Sequence, residues 1–113
     1  MNLLDVVIPV YNEELSVVES TIADIHKAFE GRDDVRIIVV NDGSKASFGL
    51  DALHQRDDVT FVAHPTNRGY GSALKTGILC GEAPCVAITD ADGTYPVDQL
   101  PVLLSMMPGR DMV

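Results

Sequence analysis

Four short runs rich in β-branched and other apolar residues recur along the chain: LLDVVIPV (3–10), VRIIVV (35–40), VTFVA (59–63) and PCVAIT (84–89). Runs that are apolar almost throughout suit strands covered on both faces, and helix-patterned segments lie between them. Between about Glu13 or Glu14 and Phe29, the residues Val18, Ile22, Ile25 and Phe29 draw one apolar stripe. Asn12 stands where a helix N-cap belongs, glutamates follow it, and Gly31 comes after the last turn. Lys45–Arg56 is a weaker helical stretch that Gly49 should destabilise. A short helix from Tyr70 or Ser72 to Leu79 and a last one over Val97–Met107 complete the alternation.

This order predicts a Rossmann-like α/β fold. Strands joined by helical crossovers form an open parallel sheet with right-handed connections and helices on both faces. The simplest strand order is 3-2-1-4, with a topological switch point between the first and fourth strands. After Pro108-Gly109 the chain reads Arg110-Asp-Met-Val, the opening of another strand, so the sequence is expected to be a fragment.

The chemistry is expected where the strands end. Glu13, Asp42, Asp90 and Asp92 each fall just after an apolar run. In an open α/β sheet that placement gathers them along the carboxyl edge, where ligands bind. Carboxylates there, with few basic residues nearby, call for a cation and a polar, hydroxyl-rich ligand. Any anionic group of that ligand would be repelled, by about 4 kcal/mol per pair of charges ~4 Å apart at an effective dielectric of ~20. A divalent cation bridging carboxylate and ligand oxygens removes that repulsion.

Charge and composition close off other classes. A formal charge of −9 argues against nucleic acid and against simple electrostatic docking on anionic lipid. The apolar runs are far shorter than the ~20 residues of a membrane helix, and Asp5 interrupts the first, which removes a signal-peptide reading. A cytoplasmic location is expected. Cys80 and Cys85 lack CxxC spacing and a completing pair, so they read as buried thiols. His26, His54 and His64 form no spaced metal pair and read as structural.

The motifs in order are PVYNE (9–13), VNDGS (40–44), NRGYGSALKTGI (67–78) and DADGTYP (90–96). Each has a plain local explanation. Asn-Glu can cap a helix, Asp42 can make an Asx-turn or cap, Asp-Gly is a common turn pair, and Tyr11 can simply pack. The third motif is neither GxxxxGK[ST] nor a full GxGxxG. Its Gly69, Gly71 and Gly77 suit a helix packed closely beside a crevice, and Arg68 and Lys75 are its basic residues.

Together the four motifs resemble the amino-terminal half of inverting family 2 glycosyltransferases of GT-A fold. The resemblance is greatest to the polyprenyl-phosphate (dolichol-phosphate) mannosyl- and glucosyltransferases. It covers essentially all of residues 1–113 and only the donor-binding half of that family's domain. It implies transfer of a sugar, with inversion, from a nucleotide-diphospho-sugar of GDP-mannose or UDP-glucose type to an acceptor such as polyprenyl phosphate. Pro9 and Tyr11 would then border the base, Glu13 would bond base or ribose, and Asp42 would accept from a base N–H beside the Val40 backbone. Asp90, Ala91 and Asp92 would meet the donor, with Asp90 and Asp92 holding Mg²⁺ or Mn²⁺. Thr94 stands where many relatives place a further Gln ligand. The resemblance assigns no catalytic residue here.

In the cytoplasm the chain would be peripheral at the membrane through missing segments or partners. A second reading is a truncated donor-binding module without turnover. Its fourth strand would be an exposed edge able to pair with another copy. A phospho-receiver would need an acceptor Asp after the third strand, where Ala63-His64-Pro65 stands. A nucleotidyltransferase would need a glycine-rich loop after the first strand, where the chain has VYNEE.

Overall fold

The computed structural model describes residues 3–31 and 33–89. The expected helix over Val97–Met107, the strand expected after Gly109, and the candidate residues Asp90, Ala91 and Asp92 lie outside the described residues.

Four strands form one parallel sheet in the expected order. They are β1 (Leu4–Val10), β2 (Val35–Asp42), β3 (Thr60–His64) and β4 (Cys85–Ile88), arranged β3-β2-β1-β4. β1 is central, with Val6 opposite Ile37 on one side and Ala87 on the other. Its alternation sorts the core into two layers. Leu4, Val6, Ile8 and Val10 face α1 (Leu15–Ala28), meeting Val18, Ile22, Ile25 and also Phe29. Val7, with Ile38, Val40 and Val86, faces α2 (Tyr70–Cys80) and packs on Ala73. Each fully buried Val, Leu or Ile side chain contributes about 1.5–3 kcal/mol, so a sheet apolar on both faces holds both helical layers.

α2 lies very close to the sheet. A Cβ at Gly77 would collide with Val7 Cγ1 and come within 3.2 Å of Val40 Cγ2, so only glycine permits this approach. At the far end of the sheet, Asp5 is fully buried, and its Oδ2 accepts the Ala83 N–H at 3.0 Å. The charge that breaks the first apolar run therefore buttons the turn between α2 and β4. Among the described residues β4 pairs only with β1, which makes it an edge strand.

Three local expectations need correction. Asn12 does not cap α1: the N-cap is Glu14, without a side-chain cap bond, and no acidic residue lies in the first turn. Asn12 instead adopts a left-handed backbone, φ 52°, and bonds across to the next loop. The Lys45–Arg56 stretch forms no α-helix but two 3₁₀ turns, Ala46–Phe48 and Leu50–Gln55. Gly49 separates them with φ 70°, a left-handed conformation that ends one turn before the next begins. Cys80 is exposed rather than buried, while Cys85 is buried as expected.

Candidate functional site

The loops after β1 and β2 meet at the carboxyl edge of the sheet, and paired hydrogen bonds lock them together. Asn12 N–H donates to Ser44 Oγ at 2.8 Å, and Asn12 Oδ1 accepts from Lys45 N–H at 3.0 Å. Within the second loop the Ser44 N–H donates to Asn41 Oδ1 at 3.0 Å, so Asn41 makes the turn contact that had been open to Asp42. Gly43 holds φ 73°, and the backbone of Thr66 and Asn67 comes so near that a Cβ there would overlap it. That approach brings the loop after β3 onto the end of β2.

Asp42, the last residue of β2, is the hub of this junction and is only 3% exposed. Its Oδ1 accepts from His64 Nδ1 at 2.7 Å and from the Arg68 N–H at 2.9 Å. Its Oδ2 accepts from the Gly69 N–H at 2.9 Å and from Asn67 Nδ2 at 3.0 Å. A carboxylate offers about four lone-pair positions, and here the protein occupies all of them. Burial by itself pushes the Asp42 carboxyl upward. The hydrogen bonds from His64, Arg68 and Gly69, with the attraction of the His64 ring, outweigh burial and set it below its ordinary value. Asp42 is therefore a stable anion whose immediate ligands are the loop and His64.

Beside this hub a cavity of about 330 Å³ opens, lined by Pro9, Tyr11, Asp42, Asn67, Gly69 and Tyr70, with Val10 and Ala73 completing the wall. Its size lies at the small end of small-molecule sites. Tyr11 and Tyr70 are 54% and 56% exposed, so two aromatic rings are offered to solvent at its rim. α2 begins here, behind Gly69 with φ 98°.

The structure thus brings Pro9, Tyr11 and Asp42 to one cavity. Val40 lies beneath it, fully buried, in register between Pro9 and Val62. Glu13 is not among the lining residues; it is half-buried, and its Oε1 accepts the Glu14 N–H at 3.2 Å. No group of three or more His, Cys, Asp or Glu able to hold a metal occurs among the described residues. Asp42, with its oxygens fully engaged, does not fit a metal either. Val10, Asn67, Gly69, Tyr70 and Ala73 were missed as lining residues, although Ala73 fell within the helix expected beside a crevice and Tyr70 at its start. His64 was read as structural, and nothing in its spacing reveals that it supports the cavity wall.

Comparison with known proteins agrees with the fold and the motifs. The glycosyl transferase family 2 model matches residues 5–112. A dolichyl-phosphate hexose transferase of Haloferax volcanii is 32% identical over 97% of this chain and 46% of its own length. An undecaprenyl-phosphate 4-deoxy-4-formamido-L-arabinose transferase of Pseudomonas aeruginosa is 34% identical over all of this chain and 35% of its own length. The chain therefore spans less than half the length of these curated relatives. The mannosyltransferase PcManGT from Pyrobaculum calidifontis, solved with GDP-Man and Mn²⁺, superposes with a TM-score of 0.69 at 28% identity. That match covers 85% of this chain and 29% of the other. With the same strand order as its GT-A neighbours and the family's motifs along nearly its whole length, the chain belongs to glycosyl transferase family 2.

Proposed function

We propose that this chain is the donor-binding half of a GT-A domain that transfers a sugar, with inversion, from a nucleotide-diphospho-sugar to a polyprenyl phosphate. The observation that carries the reading is the cavity at the ends of β1 and β2, edged by Tyr11 and Tyr70 and floored by the Asp42 junction. An apolar, aromatic-rimmed cleft of this size accepts a nucleobase, and the carboxyl edge of the sheet is where such folds bind nucleotides. The relatives named for dolichyl and undecaprenyl phosphate support a lipid-phosphate acceptor. No helix among the described residues is long and apolar enough to cross a membrane.

Metal dependence belongs to the same proposal. Asp90 and Asp92 would hold a divalent cation, which when bound neutralises the departing diphosphate. The Mn²⁺ bound with GDP-Man in the Pyrobaculum enzyme supports that assignment. In this scheme Pro9 and Tyr11 border the base, and Glu13 and Ala91 complete the donor contacts. Asp42 serves by building the wall the base meets. An acceptor phosphate is already ionised, so attack on the anomeric carbon needs no strong base.

Calorimetric titration of the chain with GDP-mannose and with UDP-glucose, each with and without Mn²⁺, tests the reading. Saturable binding that weakens when the metal is chelated is expected. Release or transfer of sugar would add turnover to binding, and binding without product would make this a donor module. No binding of either nucleotide sugar at millimolar concentration overturns the proposal.

A further inference from the structure

We propose that His64 is a positioning residue for donor binding, holding Asp42 so that Asp42 in turn holds the 67–69 loop at the cavity wall. The inference rests on the donor-site reading above for what the cavity binds. The hold on the loop rests on geometry alone.

Asp42 and His64 are direct partners in the β2–β3 register, so their side chains leave the same face of the sheet, toward α2. That face is crowded by design of the chain, because Ala73 and Gly77 let α2 lie against the sheet. Thr76, next to Gly77, is thereby brought within reach of the strand end. The His64 ring is pinned at both nitrogens, by Asp42 Oδ1 at 2.7 Å and by Thr76 Oγ1 at 2.8 Å. An ionised carboxylate only accepts, so Nδ1 carries the hydrogen. The Thr76 hydroxyl can donate to a neutral Nε2 or accept from a protonated one. The chain Thr76–His64–Asp42 is complete in either charge state.

Of the four donors on Asp42, three come from the loop itself: Asn67 Nδ2 and the N–H groups of Arg68 and Gly69. His64 supplies the one that is anchored elsewhere, in β3 and through Thr76 in α2. Without it the carboxylate is free to turn with the loop instead of holding it. Asn67 and Gly69 line the cavity, and Tyr70 follows directly, so a loosened loop changes the shape of the wall. A buried anion that loses a charged hydrogen bond also becomes costlier to bury. His64 touches no donor atom in this account; it acts through Asp42.

The test compares amide hydrogen exchange at Arg68 and Gly69 with the dissociation constants for GDP-mannose and UDP-glucose in Mn²⁺. Both are measured in the 113-residue chain and in three variants. His64→Phe removes both bonds and should speed exchange and weaken donor binding by about tenfold or more, the scale of a lost charge-assisted hydrogen bond. His64→Asn sets an amide nitrogen near the Nδ1 position, so exchange and affinity should return to within about threefold of wild type. Thr76→Val removes only the outer bond and should fall between them, and it decides the question if His64→Phe does not fold. Wild-type exchange at Arg68 and Gly69 in His64→Phe, or in Thr76→Val in its place, overturns the proposal. Faster exchange with unchanged donor affinity overturns it too. If the wild-type chain binds neither nucleotide sugar, the proposed function fails, and the exchange rates alone then uphold or overturn the hold of His64 on the loop.

Discussion

Asn12 bridges to Ser44 across the sheet edge: its backbone N–H donates to Ser44 Oγ at 2.8 Å while its own φ is 52°. Its side chain accepts from the neighbouring Lys45 N–H, so one residue ties the end of β1 to the end of β2. Asparagine suits this position because its short amide tolerates the left-handed backbone that most residues avoid. Asn12→Ala loses the side-chain bond and strains the backbone, and should cost about 1–3 kcal/mol in urea unfolding. Asn12→Gly loses the bond without that strain and should cost less. Equal losses in the two variants would mean the backbone conformation is not a constraint.

The glycines of α2 give a second contrast. Gly71 has open space where a Cβ would stand, whereas Gly77 has the side chains of Val7 and Val40. Gly71→Ala should therefore stabilise by up to about 1 kcal/mol through helix propensity. Gly77→Ala gains the same propensity and loses more to overpacking, about 1–3 kcal/mol, so its net effect should be destabilising. Thermal melting of the two variants checks the opposite signs.

Those glycines also mark how far the sequence could be read. Strand order and the positions of α1 and α2 followed from period and from the strand–helix alternation, which reflect burial and so are written in residue type, whereas the Lys45–Arg56 stretch did not form the helix its pattern suggested. The two glycines look alike in sequence, because only the distance of α2 from the sheet separates them. Asn12 misled for the same reason: a residue suited to capping is equally suited to a left-handed loop, and the partner that decides between them, Ser44, is 32 residues away. Pro9, Tyr11 and Asp42 were singled out by their motifs, and the structure sets all three around one cavity. The engagement of Asp42 by His64 was not legible, since a pair formed across strands β2 and β3 leaves no local pattern.

The Asp42 anion should set part of the acid stability. Its folded carboxyl lies below the ordinary value of 3.8, so the folded chain binds fewer protons than the unfolded one in that range. The contribution is full above pH 3.8 and drains away as pH falls through the lower folded value. Asp58 acts in the same direction, lowered by its hydrogen bond from Arg56, against burial, and by a further one from His26. Asp42→Asn should lower stability at neutral pH and flatten the decline below pH 3.8. Urea midpoints measured across that range check it, and a parallel decline in wild type and variant would refute the assignment.

The position of β4 at the edge of the described sheet should show itself in solution. Among the described residues the strand has β1 as its sole partner, and its backbone offers a template for a second chain. Concentration-dependent association through this edge is expected in light scattering. A monomer at high concentration would count against it.

Tyr11 offers the most direct separation of binding from folding. The side chain is 54% exposed at the rim of the cavity, so removing it disturbs little packing. If its ring borders the base, truncation loses a stacking contact of about 1–3 kcal/mol, or roughly five- to 150-fold in affinity. Tyr11→Ala should weaken GDP-mannose binding in that range while leaving the melting temperature nearly unchanged, and Tyr11→Phe should bind almost as wild type because the stacking face is kept. Loss of affinity in Tyr11→Phe equal to that in Tyr11→Ala would assign the effect to the hydroxyl. An unchanged affinity in Tyr11→Ala would move the base away from this wall of the cavity.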